Sequence, residues 1–129
     1  GALPVGAEGG LGAIVFSPLG QGLLTERYID ATPTDSRAAT DSEFLDEARV
    51  TVELRTALAS LRTIAADRGQ TVAQLALSWV LADVRISSAL IGASRVEQVE
   101  QCCDVLDAAP LLAEERDAIS EVFTLGSGR

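Results

Sequence analysis

Apolar positions along the chain fall into two kinds of pattern. Residues 13–17 (AIVFS) and 87–91 (SSALI) are short apolar runs without polar alternation, the first closed by Pro18. Such runs predict strands buried on both faces, the type found in parallel sheets. Elsewhere the spacing is helical. Leu54, Leu58, Leu61 and Ala65 recur along one stripe, which predicts a helix from Glu43 to about Arg68, with Gly69 just beyond its end. Thr71, followed three residues later by Gln74, has the spacing of a capping box and opens the next helix. Val72, Leu75, Ala76, Trp79 and Val80 share one face of it, while Leu77 and Leu81 fall off that face. This helix is therefore expected to be covered on most sides, with Trp79 as a core residue. Ser94 and Glu97 repeat the capping spacing before a helix reaching about Asp107, and Pro110 separates it from a last helix over residues 113–123. Residues 1–10 read as a loose, glycine-rich lead-in and residues 29–42 as a mobile loop. The acidic cluster at 41–47 reads as a helical first turn, and the tail from Gly126 is expected to fray.

Strands that lead into helices define an α/β protein built from βα units. Two parallel strands do not make a stable sheet by themselves, because each leaves an open edge and an apolar face. The chain either completes its sheet with something else, a second copy included, or is a piece of a larger domain. Its 129 residues, 47% apolar and 22% charged, suffice for one folded unit.

Charge narrows the function. A net charge of −9 argues against nucleic acid and anionic membrane as partners, although backbone N–H groups with one or two arginines can still build a local anion site. All ten basic residues are Arg, and Lys, His, Met and Asn are absent. This chain therefore supplies no His base, Schiff-base lysine, Walker-type lysine or His metal ligand. Its two cysteines, Cys102 and Cys103, are adjacent, too few for a zinc site and badly spaced for a disulfide, so reduced thiols are expected. The start lacks the layout of a signal peptide, and no apolar stretch reaches the ~20 residues of a spanning helix. A cytoplasmic protein is the resulting expectation. The chain begins at Gly1 and not at Met, as a processed, tagged or truncated start would.

Three segments carry a resemblance. They are Phe16-Ser17-Pro18-Leu19-Gly20-Gln21-Gly22-Leu23-Leu24-Thr25, then Thr71-Val72-Ala73-Gln74-Leu75-Ala76-Leu77-Ser78-Trp79, then Leu90-Ile91-Gly92-Ala93-Ser94-Arg95-Val96-Glu97-Gln98. In this order and spacing they resemble the C-terminal portion of an aldo-keto reductase, in the branch holding the potassium-channel β subunits and related bacterial reductases. The resemblance runs from about Glu8 to Phe123. It implies part of a (β/α)8 TIM barrel, a fold of typically ~250 residues with ligands at the C-terminal ends of its strands. Residues 13–17 would be the seventh strand and 87–91 the eighth. The family's catalytic Asp, Tyr, Lys and His come from earlier strands, so this chain alone is not expected to catalyse, and Tyr28 does not match the family's proton donor.

The same resemblance implies NADPH (NADP+) as cofactor and a small aldehyde or ketone as substrate of the complete protein. Phe16 would lie near the nicotinamide. Ser17, Pro18, Leu19, Gly20 and Gly22 would form the loop along the pyrophosphate, with Arg27 over the phosphates and Arg37 clasping the cofactor. Gly92, Ser94, Arg95 and Gln98 would form the pocket for the adenosine 2′-phosphate. Gln101 and Cys102 stand where the family commonly has Glu-Asn toward the adenine. A non-catalytic oligomeric assembly module and a nucleotide sensor are the rival expectations.

The residues support part of this without the family. Gly92-Ala93-Ser94 runs from a strand into a helix N-terminus, where free N–H groups and the helix dipole favour an anion, and Arg95 adds a guanidinium fork. On the residues alone Ser94 reads first as a plain helix cap with Glu97 as its reciprocal partner; with the resemblance, cap geometry and phosphate contact are expected together. Gly20 and Gly22 alone would suit many turns. Arg27 and Arg37 alone would suit a solvated surface, and Cys102 reads as a structural thiol.

Overall fold

The structure, a computed structural model, describes residues 2–19 and 52–126. In chain order these form α1 (Ala2–Glu8), β1 (Ala13–Phe16), α2 (Val52–Asp67), α3 (Val72–Leu81), β2 (Ile86–Leu90), α4 (Val96–Cys103), a 3₁₀ turn (Asp104–Asp107) and α5 (Ala113–Gly126). The loop expected at 29–42, the acidic cluster at 41–47 and the start of the helix expected from Glu43 lie outside the described residues.

The core sits among helices. Leu58, Leu61 and Ala65 of α2, Val72 and Leu75 of α3 and Ile119 of α5 are buried together, with Leu54, Ile64, Leu111 and Val122 packed around them. The predicted stripe of α2 is thus its core face. Helix α3 touches α2, β2, α4 and the 3₁₀ turn. It buries Leu77 as well as Val72 and Leu75, which accounts for its apolar residues on more than one side. Trp79 departs from expectation, since it is 39% exposed and not a core residue.

Caps fix the helix ends. At Gly69 the backbone turns left-handed (φ 66°). The Gln70 N–H donates to the Ala65 carbonyl and the Gly69 N–H to the Ala66 carbonyl, both at 2.9 Å, which is the Schellman pattern. Thr71 and Gln74 form the predicted capping box: the Gln74 N–H donates to Thr71 Oγ1 (3.2 Å) and the Thr71 N–H to Gln74 Oε1 (2.9 Å). Residues 2–8, expected as loose, are the helix α1, which ends at Gly10 (φ 74°) with the same Schellman pair, Leu11 N–H to the Gly6 carbonyl and Gly10 N–H to that of Ala7. The glycines that suggested a loose segment include the one that terminates a helix.

Arg68, one residue before Gly69, joins α2 to α5. Its Nη1 donates to Glu115 Oε1 (2.9 Å) and Oε2 (2.7 Å), its Nε to Gln70 Oε1 (2.9 Å), and its Nη2 to the Ala109 carbonyl. Glu115 Oε2 also accepts from the Leu112 N–H at 2.7 Å, capping the first turn of α5. The Arg68 hydrogen bonds, then the one from Leu112, hold the Glu115 carboxyl below its ordinary range.

The two strands pair in parallel, Ala13 with Ile86, Ile14 with Ser88, Val15 with Ala89 and Phe16 with Leu90. β2 therefore begins and ends one residue earlier than expected. Ser87 is the extra residue at the irregularity after Ala13, and Gly12 lies against it. A Cβ at position 12 would fall 1.9 Å from Ser87 Oγ and 3.0 Å from Ser87 Cβ, so glycine is what lets the strands approach there. The expectation of strands buried on both faces fails. Ile14 is 71% exposed, Phe16 80% and Leu90 63%, whereas Val15 and Ala89 are half-buried. One face of the sheet rests on the helices, and no described element covers the other.

Candidate functional site

Because the strands run parallel and in register to their ends, Phe16 and Leu90 are lateral neighbours. The segments that follow, Ser17-Pro18-Leu19 and residues 91–95, leave the sheet at the same edge. Two motifs far apart in the chain are brought together by this pairing. Ser17 turns the chain at once: its φ is 51°, and it is the described residue other than glycine with a left-handed backbone. Such a conformation costs a side-chain-bearing residue ~1–2 kcal/mol and is frequent at functional sites. The sequence carries no signal for it, because Ser-Pro reads only as a strand stop.

On the second segment, Arg95 is the N-cap residue of α4, with extended backbone (φ −140°, ψ 150°). The capping expected from Ser94 and Glu97 is replaced by one from Gln98. The Gln98 side-chain oxygen accepts from the Ser94 N–H (2.9 Å), the Ser94 hydroxyl (3.2 Å) and the Arg95 N–H (3.2 Å). An amide oxygen reaches these donors without bringing a second negative charge, and Glu97 is left on the exposed side of the first turn. Three donors thus converge on one acceptor position, and the residue that supplies one of them, Arg95, is exposed. Gly92 precedes them with nothing within 4 Å of where its Cβ would be. The arrangement suits a phosphate oxygen: backbone and hydroxyl donors at a helix N-terminus, with an arginine in the same turn.

Further along α4, the Gln101 carbonyl accepts from Gln74 Nε2 at 2.9 Å, which ties this helix to the capping box of α3. Gln101 is exposed and Cys102 half-buried. Both cysteines are free thiols, as expected. Burial, and then the neighbouring Cys103, push the Cys102 thiol up from its ordinary value. Of the residues singled out from the sequence, Ser94, Arg95 and Gln98 meet directly, and Phe16, Ser17, Pro18 and Leu19 reach the same sheet edge. Gly20, Gly22, Arg27 and Arg37 lie outside the described residues. Among the described residues no helix is long and apolar enough to cross a membrane.

Comparison with known proteins agrees with the motifs. The sequence model of the Aldo/keto reductase family matches residues 1–123. The chain is 39% identical over 124 residues to the L-glyceraldehyde 3-phosphate reductase of Escherichia coli O157:H7, covering 94% of this chain and 36% of that protein. It is 34% identical over 112 residues to a probable voltage-gated potassium channel subunit beta of Arabidopsis thaliana, covering 85% and 34%. Among solved structures, the holo form of an aldo-keto reductase from Bacillus halodurans superposes with a TM-score of 0.66 at 28% identity, covering 93% of this chain and 36% of the other. The chain therefore spans about a third of the length of these relatives. Its sequence and its fold both make it a member of the aldo/keto reductase family.

Proposed function

We propose that this chain is the NADPH-binding portion of an aldo-keto reductase, with β1 and β2 as the seventh and eighth strands of a (β/α)8 barrel. The convergence of the Ser94 and Arg95 donors on the Gln98 oxygen is the observation that carries the reading. An adenosine 2′-phosphate needs such donors, and the Gln98 side chain holds their place until it swings aside. Arg95 contributes charge, which NADH, lacking this phosphate, cannot use. Open space at Gly92 leaves room for a ligand to approach the backbone. At the neighbouring strand end, exposed Phe16 offers a flat apolar surface for the nicotinamide, and Ser17 turns the chain so that residues 18 and 19 run on toward the pyrophosphate. When bound, the cofactor supplies the hydride for an aldehyde or ketone. The family's proton-donating Tyr and its Asp, Lys and His partners belong to segments with no counterpart in this chain.

Calorimetric titration of the 129-residue protein with NADPH, beside NADH, tests the reading. The expected outcome is a preference for NADPH that shrinks by roughly tenfold or more in Arg95→Ala, in keeping with the ~1.5–3 kcal/mol of a hydrogen bond to a charged group. Ser94→Ala shrinks it less, because the backbone donors remain. Equal binding of the two dinucleotides, or none, overturns it. A second reading, an assembly module, is favoured by the uncovered sheet face of Ile14, Phe16 and Leu90. It requires a dimer or larger species by light scattering, and a monomer with a cooperative melt excludes it.

A further inference from the structure

Helix α4 has eight residues, none of them buried. A helix of that length has little stability of its own in water, so its place in the fold is set by attachments to other elements. The chain enters it from β2 through exposed Gly92 and Ala93, which hold that end loosely. Beyond its other end, Val105 of the 3₁₀ turn is buried. Between these points the Gln101 carbonyl accepts from Gln74 Nε2 at 2.9 Å. Gln101 belongs to the last four residues of α4, where carbonyls take donors from beyond the helix.

Gln74 reaches out from the core. Val72 and Leu75, beside it on α3, are among the fully buried residues. Both halves of its side-chain amide are occupied: Oε1 accepts from the Thr71 N–H and Nε2 donates to Gln101. An anchor at Val105 alone lets a short helix pivot about that point, whereas a second anchor at Gln101 fixes the direction of its axis. At the far end of that axis stand the donors of Ser94 and Arg95, gathered on the Gln98 oxygen. Gln98 orders these donors with respect to α4, and Gln74 orders α4 with respect to the core.

We propose that Gln74 is a positioning residue: through the Gln101 carbonyl it sets the place of α4 and so aims the Ser94 and Arg95 donors at the 2′-phosphate. The ligand in this statement rests on the dinucleotide reading, while the hold on α4 rests on the hydrogen bonds alone.

Gln74→Glu separates the link from the cap. A carboxylate there still accepts from the Thr71 N–H, as glutamate does in capping boxes, but it has no N–H to donate and turns an oxygen toward the Gln101 carbonyl. Gln70→Ala is the control, because Gln70 bonds Arg68 and Ser78 at the same helix junction and neither partner lies on α4. Both variants are titrated with NADPH and with NADH and followed by native-state hydrogen exchange. In Gln74→Glu the preference for NADPH should fall roughly three- to tenfold, the range expected for one hydrogen bond. The Gln101 and Cys102 amides should exchange faster by a similar factor, and Gln70→Ala should change neither quantity. The proposal is overturned if Gln74→Glu keeps the wild-type preference, if Gln70→Ala loses as much of it, or if the α4 amides of wild type and Gln74→Glu exchange alike. A wild-type protein without preference ends the dinucleotide reading, and the exchange comparison then decides by itself whether Gln74 holds α4.

Discussion

Ser17 and Gly12 sit at opposite ends of the same short strand, and each answers a backbone demand. Gly12 is small because Ser87 presses against it. Ser17 is left-handed although it carries a side chain. Replacing Ser17 by Gly removes the steric cost of that conformation while loosening the unfolded chain, so the net expected gain is up to ~1 kcal/mol. A melting curve of Ser17→Gly checks it, and a lowered midpoint would mean that the Ser side chain contributes more than its backbone costs. The capping residues show how sequence reading works at this scale. Thr71 and Gln74 were legible because both partners lie three residues apart on the same side of the cap. Ser94 with Glu97 and Arg95 with Gln98 offer the same spacing one residue apart. Spacing cannot choose between them; the ability of one amide oxygen to collect three donors does.

Among elements, the clamp of Arg68 on Glu115 concentrates polar stabilisation at one point, where α2 ends and α5 begins. The Glu115 carboxyl is held below its usual value by Arg68 and the Leu112 N–H. Its contribution is complete above the ordinary glutamate range and is lost as pH falls through the depressed native value. Glu115→Gln should therefore be less stable than wild type at neutral pH, and the difference should narrow as the solution is acidified, as followed by denaturant unfolding. A constant difference across pH would show that the charge is not what matters. The helical stripe of α2 was legible because all its members face one core. A matched pair of substitutions tests where that core lies. Leu58→Ala empties a fully buried site and should cost ~2–5 kcal/mol. Phe16→Ser, at a residue 80% exposed, should cost well under 1 kcal/mol. Helix α1 escaped sequence reading because Gly6, Gly9 and Gly10 outweigh a short and weakly apolar pattern, although Gly10 is the cap itself.

At the scale of the molecule, the motifs announced the family, the two strands and their parallel relation. The strand count also announced an apolar face left without a partner, whereas the apolar runs alone had read as strands buried on both faces. An apolar run such as AIVFS records burial in whatever structure the residues evolved to join, and Ile14, Phe16 and Leu90 find no described neighbour to cover them. The parallel register has a further, kinetic consequence. Pairing Ala13 with Ile86 requires closing a long loop, which carries an entropic cost that contacts between successive helices escape. Helices α2 and α3 are adjacent in sequence and share the buried core, so they are expected to form before the sheet. Native-state hydrogen exchange should find the Val15 and Ala89 amides opening at lower free energy than those of Leu58 and Leu75. Equal protection at all four would mean that sheet and helices open as one cooperative unit. The expected order makes the strand ends, where the two motifs meet, the part of the protein that assembles last and parts first.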